Sequence, residues 1–519
     1  MPRQIPFIVG TEGCERFSFY GMRNILTPFL ISTLLMFLPE AQRAGEAKDV
    51  FHTFVIGVYF FPLLGGWIAD RFFGKYDTIF WLSLVYCAGH ACLAIWDENI
   101  KGFYFGLFLI ALGSGGIKPL ISSFVGDQFD RTNKNKAKLV YDAFYWMINF
   151  GSFFASLLMP IFLKSYGASV AFGIPGVLML IATIVFWMGR KKYIHVPAAP
   201  PDPHSFTRVA RTALLARAPG RYRAGLAFAI FGAAGAIASL AMTPSWGFVI
   251  AACTALVLLL AFGGLGTAMQ LERARGIHPD EAVDGVRAVL RMLIVFALVT
   301  PFYSLFDQKA STWIVQANAM VAPTLSVFGS SFTFLPAQMQ ALNPLLVMLL
   351  IPFNNLVLYP ALRKAGIEPT PLRRMTAGIV FSSLSWIVIA TVQVAMDGGT
   401  PMSMTWQVLP YALLTLGEVL VSATGLEFAY SQAPKSMKGV LMAFWFLATT
   451  IGSLWVLIAN LTVRNPAVLT HIAGSGFSVM AFQMVFYAAF AMAAAAAFGW
   501  YATRYQMTDN YRTDVVTLQ

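Results

Sequence analysis

Long apolar runs, separated by short polar connections, recur along the whole chain. A membrane-crossing helix needs about 20 mostly apolar residues. Fourteen stretches reach that length, at roughly 12–38, 51–71, 76–96, 102–125, 139–163, 168–189, 224–243, 246–271, 288–318, 332–359, 372–396, 405–431, 439–462 and 475–504. No segment alternates apolar and polar positions over barrel-strand lengths, so strands do not compete. The pattern predicts an all-α polytopic membrane protein. Its longest interruption, 190–223, is rich in proline and arginine, and a second basic stretch covers 272–291. Between them lies a closely spaced helix pair joined by Thr243-Pro244-Ser245. The helices therefore group as 6 + 2 + 6: a bundle over 1–190, a basic linker with two additional helices over 191–287, and a second bundle with a short tail over 288–519. Two six-helix halves, each returning to the side where it began, suit a cavity between facing bundles. Ser205 to Arg217 fits either an amphipathic helix lying on the membrane or a solvated linker.

Composition removes the soluble alternatives. Of the 519 residues 58% are hydrophobic and only 12% charged, where a soluble domain carries about a quarter charged. Most soluble enzymes and secreted disulfide scaffolds are thereby excluded. The four cysteines, Cys14, Cys87, Cys92 and Cys253, fall inside apolar segments without a disulfide or metal-ligand spacing. The short start, Met1 to Gly10, runs straight into a charged helix and predicts no cleaved signal peptide.

A formal net charge of +12 would suit a nucleic-acid binder, but the positions of the bases say otherwise. Most sit at the N-terminus, in the even-numbered connections and at the C-terminus. They include Arg71 and Lys75; Arg131, Lys134, Lys136 and Lys138; the run from Arg190 to Arg223; Arg273, Arg275, Arg287 and Arg291; Arg363, Lys364, Arg373 and Arg374; Lys435 and Lys438; and Arg504 and Arg512. The odd connections hold only Arg43, Lys48, Lys101, Lys164 and Arg464. Positive residues stay inside, so both termini are expected in the cytoplasm and no nucleic-acid partner is implied. Four bases remain within spans: Arg16, Arg23, Lys118 and Lys309.

Ionisable groups inside a membrane are costly and mark pathways or partners. On the first helix Glu12, Glu15, Arg16, Phe19, Tyr20 and Arg23 fall within an arc of about 140°. Two acids, two bases and a phenol on one stripe describe a wet, proton-responsive face. Lys118 sits mid-span in Gly113-Ser114-Gly115-Gly116-Ile117-Lys118-Pro119, where glycines permit close helix approach. Asn149, Asp307, Asn343, Glu418 and Glu427 lie in later spans; for Asn149 and Glu427 a simple helix-locking role is an open alternative. Arg16, Lys118 and Tyr20 suit an anion, whereas Glu418 and Asn343 suit an amine. A zwitterion bound between them would touch both bundles and draw them together. Making and breaking Arg23–Asp307 or Lys118–Glu12/Glu15 pairs would couple proton uptake to opening, because a carboxylate that loses its cation in a dry site regains its proton.

Two resemblances follow from these motifs. Gly65-Gly66-Trp67-Ile68-Ala69-Asp70-Arg71-Phe72-Phe73-Gly74-Lys75 resembles the signature loop of the major facilitator superfamily. The set as a whole resembles the proton-dependent oligopeptide transporters. It comprises Glu12-x-x-Glu15-Arg16-Phe-Ser-Phe-Tyr20-Gly-x-Arg23, Gly-Ser-Gly-Gly-Ile-Lys118-Pro, Phe124-x-Gly-Asp127-Gln128-Phe129, Phe306-Asp307-Gln308, Leu342-Asn343-Pro344 and the segment from Gly417-Glu418 to Pro434. The extra helix pair looks like that of bacterial members, while Phe51-His52-Thr53-Phe54-Val55 looks closer to the animal branch.

The resemblance implies a proton-coupled symporter with the major facilitator fold that imports di- and tripeptides across the cell inner membrane. It needs no cofactor and no metal. By resemblance, the peptide carboxylate would meet Arg16, Lys118 and Tyr20, and its amino group Glu418, Asn149 and Asn343. Tyr59 and Trp445 would line side-chain pockets. Glu12, Glu15 and His52 would handle protons, and Arg23–Asp307 would form an extracellular-side gate. Phe19 departs from the family, which usually has tyrosine there, and removes one hydroxyl from the cavity. A transporter of nitrate or an organic anion on the same scaffold is the alternative. A membrane enzyme would need clustered metal ligands or a nucleophile beside a base, yet of the six histidines only His52 and His90 lie in spans, on different helices.

Overall fold

The computed structural model describes residues 3–129, 137–198, 202–217, 223–327, 330–432 and 437–505. The basic residues Arg131, Lys134, Lys136, Arg221, Lys435 and Arg512 lie outside them, as does Pro434. Helices carry nearly everything described. In the first part run α1 (Ile5–Phe29), α2 (Glu40–Ile68), α3 (Gly74–Ile95), α4 (Ile100–Asp127) and α5 (Ala137–Met188). Gly167, at φ 82°, breaks α5 into two helices, and Gly74, at φ 77°, opens α3 after the loop that leaves α2. Only glycine adopts such angles without strain.

The middle holds α6 (Phe206–Leu215), α7 (Ala224–Ala241), the short α8 (Thr243–Trp246) and α9 (Phe248–Gln270). The rest comprises α10 (Asp280–Phe306), α11 (Thr312–Asn318), α12 (Leu342–Phe353), α13 (Tyr359–Lys364), α14 (Pro371–Asp397), α15 (Val408–Glu418), α16 (Thr424–Gln432), α17 (Lys438–Thr462), α18 (Pro466–Gly474) and α19 (Val479–Ala502). One antiparallel hairpin, β1 (Thr324–Val327) with β2 (Ser330–Thr333), lies between α11 and α12.

Helix ends follow local chemistry. Asn99 and Ser478 accept the Gly102 and Ala481 amides at the starts of α4 and α19, meeting donors that a helix start leaves unpaired. Pro28 and Pro352 precede π-helical turns at Leu30–Leu34 and Asn354–Leu358, where a missing amide loosens the ladder. A further π turn, Val419–Ala423, follows Glu418 directly.

Among the described residues, eleven helical segments are long and apolar enough to cross a membrane. Two of them, Glu40–Ile95 and Ala143–Met188, run through the turns at Gly74 and Gly167, so each holds two helices. The first helix falls outside that set because Glu12, Glu15, Arg16 and Arg23 lower its hydropathy. The protein is an all-α, multi-pass membrane protein.

Buried apolar side chains gather in two large clusters. One draws on residues from Ile5 to Tyr193 with Ala310 added, the other on Val209 to Phe498. The pair α7 and α9 packs on itself, and Val249, Ile250 and Cys253 of α9 rest on Ile56 of α2 and Leu454 and Leu457 of α17. Helix α6 turns Val209 and Ala213 inward onto the second cluster and leaves Arg208 and Arg211 exposed, an amphipathic helix. It is pinned by His278, whose Nδ1 lies 3.0 Å from His204 Nδ1 and whose Nε2 lies 2.9 Å from Thr212 Oγ1. The four cysteines are free thiols.

Candidate functional site

The charged stripe of α1 is buried, and its charges are matched locally. Arg16 Nε stands 2.5 Å from Glu12 Oε1 and 3.0 Å from Glu15 Oε2. Helical spacing puts position 16 one turn from 12, so the nearest base to both acids is on their own helix. The expected Lys118–Glu12/Glu15 pair is therefore not the one formed. Lys118 instead places its ammonium 3.5 Å from the centre of the Phe19 ring and 4.7 Å from that of Tyr59. Helix α4 comes this close because Gly115 lies on the α2 backbone: a Cβ there would fall 2.6 Å from the Phe61 carbonyl oxygen. Lys118 remains within electrostatic reach of Arg16, Glu15, Arg23 and Asp307.

A buried ion pair joins the two clusters. Arg23 Nη2 meets Asp307 Oδ1 at 2.5 Å, with both residues at most 5% exposed. Phe51 packs beneath the guanidinium, 5.2 Å from its carbon. Around this pair, Thr27 donates to the Ala310 carbonyl at 2.8 Å and Gln340 to the Asn24 carbonyl at 3.0 Å. His52, fully buried, lies 3.0 Å from Ser311 Oγ and 3.5 Å from Ser453 Oγ. Further out, Asn460 donates to Asp49 at 2.8 Å and Arg464 Nη2 pairs with Asp49 at 2.5 Å. These contacts all tie the two clusters together at the end of the bundle away from the termini. His90, the other histidine within a span, bonds Ser18 of α1 at 2.9 Å and stacks on Tyr86, a tie within the first cluster.

On the facing side Glu418 closes α15. Asn343 Nδ2 donates to its Oε2 at 2.5 Å and to Thr415 Oγ1 at 3.1 Å. Lys309 completes the group: its Nζ donates to Asn343 Oδ1 at 3.0 Å and lies 3.2 Å from the centre of the Phe306 ring. The sequence marked Lys309 only as a base within a span and gave it no role. Its signal was its spacing, two residues after Asp307 on a tight 3-10 turn, Asp307–Ala310, that aims it at α12. Tyr20 lies within electrostatic reach of Arg16, Arg23 and Glu418.

The remaining expected residues sit around this centre. Asn149 donates to the Tyr145 carbonyl one turn back on its own helix, at 3.0 Å. Tyr59 stacks on Phe446 with centroids 6.4 Å apart. The neighbouring Trp445 packs edge-on against Phe296 and Tyr303, its ring seated against Gly425, where a side chain would collide. The signature loop also finds its partner. Lys75 Nζ meets Asp127 Oδ2 at 2.7 Å, and the adjacent Gln128 exchanges bonds with the Ile194 backbone at 3.2 and 2.9 Å. Two sequence motifs thus brace the end of the first cluster that carries the N-terminus.

A family model, PTR2, the POT family, matches residues 76–485. The chain is 65% identical to an auto-inhibited POT family peptide transporter of known crystal structure, over 98% of this chain and 99% of that one, with a TM-score of 0.94. It is 63% identical to the POT family transporter PepTSo, over 98% and 100% of the two chains, with a TM-score of 0.95. Solute carrier family 15 member 2 of Mus musculus is 33% identical over 411 residues, 76% of this chain and 50% of that protein. The chain spans about half the length of the curated relatives it matches. Its fold is that of the major facilitator superfamily, shared with the POT transporters of known structure. Motifs, fold and matched length agree, and the chain belongs to the POT family.

Proposed function

We propose that this protein is a proton-coupled symporter that imports di- and tripeptides by alternating access in the cell inner membrane, with both termini cytoplasmic. The observation that carries the reading is the opposition of charge across one centre. Arg16 and Lys118 stand on the side of the first cluster, Glu418 with Asn343 on the second, and Tyr20 lies within electrostatic reach of both Arg16 and Glu418. A peptide is a zwitterion of matching polarity: its carboxylate takes Arg16, Lys118 and Tyr20, its amino group Glu418, Asn343 and Asn149. Tyr59 and Trp445 offer apolar walls for side chains. The names of the related peptide transporters point to the same substrate class.

In this reading residues 1–190 and 288–519 are the two moving bodies, and 191–287 is an added linker and helix pair. Fourteen crossings follow if α1 spans and the helices meeting at Gly74 and Gly167 each span separately. The closed end, held by Arg23–Asp307 and the His52 serines, is the extracellular gate of an inward-open state. Glu12, Glu15, His52 and Asp307 carry the proton. A proton on Asp307 removes the charge that holds Arg23, and the gate loosens.

The test is uptake of labelled di- and tripeptides into proteoliposomes with and without an inward proton gradient. The reading expects saturable uptake that concentrates peptide only with the gradient. Uptake blocked by nitrate or an organic anion, but not by unlabelled peptides, would replace it with the anion alternative.

A further inference from the structure

A second basic site lies away from the centre, on the outer wall of the second cluster. Arg291 of α10 and Tyr501, Arg504 and Tyr505 at the end of α19 line a cavity of about 330 Å³. Its wall is fixed by the Tyr501 hydroxyl, which donates to the Arg291 carbonyl at 3.3 Å, and by Tyr505 against Phe428 and Tyr501. Both arginines are exposed, and among the described residues neither makes an ion pair. Arg275 and Arg287, at the same end of α10, are by contrast each held by carboxylates, Arg275 by Glu272, Asp280 and Asp284, and Arg287 by Glu272 and Asp284. No carboxylate lines the cavity among the described residues.

The site's depth is set by its neighbours. The apolar run of α19 ends at Ala502, and Trp500, 62% exposed, projects from the bundle with the Arg504 guanidinium stacked 4.0 Å from its ring. Tryptophan and tyrosine beside arginine mark the level where hydrocarbon gives way to headgroups. Two guanidinium groups and a phenol hydroxyl free to donate match the oxygens of a phosphate, which arginine engages by paired N–H donors. The carbonyl end of α19 opposes an anion with only about half a negative charge, against two full positive charges. The volume suits a headgroup.

We propose that this cavity binds the phosphate of an anionic phospholipid headgroup, with the acyl chains lying along the outer face of α10 and α19. The same chemistry would accept free phosphate, but the position at the membrane boundary favours the lipid: its acyl chains hold the phosphate at this depth, so the arginines need not capture it from water. The proposal rests on the chain being a membrane protein and is independent of what it carries.

The test is native mass spectrometry of the full-length protein released from micelles containing phosphatidylglycerol or phosphatidylcholine of identical chains. The wild type should retain phosphatidylglycerol preferentially, and Arg291→Gln with Arg504→Gln should lose about fivefold of that preference per arginine. Arg363→Gln with Lys364→Gln removes equal charge from the same end of the protein and should keep it. Equal loss in both double variants would overturn the site in favour of diffuse surface charge, as would an unchanged preference in Arg291→Gln/Arg504→Gln. Inorganic phosphate in lipid-free detergent should leave the melting temperature unchanged. A rise that disappears in Arg291→Gln/Arg504→Gln would reassign the cavity to a soluble anion.

Discussion

The ammonium of Lys118 rests 3.5 Å from the centre of the Phe19 ring, a contact between α4 and α1 at the position where the family resemblance implies a tyrosine. The departure removes a hydroxyl but keeps the surface on which the cation sits. A buried cation over an aromatic ring gains about 0.5–2 kcal/mol. Phe19→Tyr should therefore leave peptide affinity within about threefold. Phe19→Leu, which keeps volume and loses the π face, should raise KM roughly 3- to 30-fold with little change in melting temperature. Uptake kinetics of both variants against wild type measure the difference; equal KM for Leu and Phe at position 19 would remove the ring from the site.

The Arg23–Asp307 pair separates gating from binding. Asp307→Asn cannot gain or lose a proton, yet it does not touch the groups proposed to hold peptide. We expect it to retain exchange of labelled for unlabelled peptide across proteoliposomes, while gradient-driven accumulation falls to the level set by equilibration. Undiminished accumulation in the variant would show that the pair is not part of the coupling.

Glu418 should discriminate by the charge of the peptide's amino end. Charge-assisted hydrogen bonds contribute about 1.5–3 kcal/mol, so Glu418→Gln should weaken binding of free-amine dipeptides roughly 10- to 100-fold. The same substitution should change the inhibition constant of an N-acetylated dipeptide far less. Competition assays with the two ligand classes read the split; parallel losses would place Glu418 in a structural role.

The linker responds to acid through His278. Its proton affinity is lowered, first by burial and then by His204 and Arg208. Once α6 detaches, the imidazole returns toward its ordinary value of about 6.5. The detached state then binds the proton more readily, so the latch is intact above that pH and weakens as pH falls through it. Hydrogen exchange at residues 206–215, corrected for intrinsic rates, should lose up to about tenfold in protection for each pH unit by which the affinity is lowered. His278→Gln should abolish this pH dependence.

The linear chain already marks the apolar runs, their interruptions and the charged and amide residues within them. Each is a local property: an apolar run of membrane length, a broken run, a charge where hydrocarbon forbids one. The α1 stripe, Lys118, Asp307, Asn343 and Glu418 stood out because an ionisable or amide group within a span has no cheap solitary state. Pairing is a different kind of fact. That Glu12 and Glu15 take Arg16 and leave Lys118 to the Phe19 and Tyr59 rings depends on how closely α4 approaches α2 at Gly115. The partnership of Lys309 with Asn343 depends on a 3-10 turn and on α12 arriving opposite it. His52 gains its two serines from segments 259 and 401 residues away, a distance over which no periodicity carries information. Sequence alone decided which charges enter the membrane, because that cost is paid residue by residue. Tertiary structure decided which partner each one found, because a buried pair forms only where packing brings two distant helices within a few ångströms.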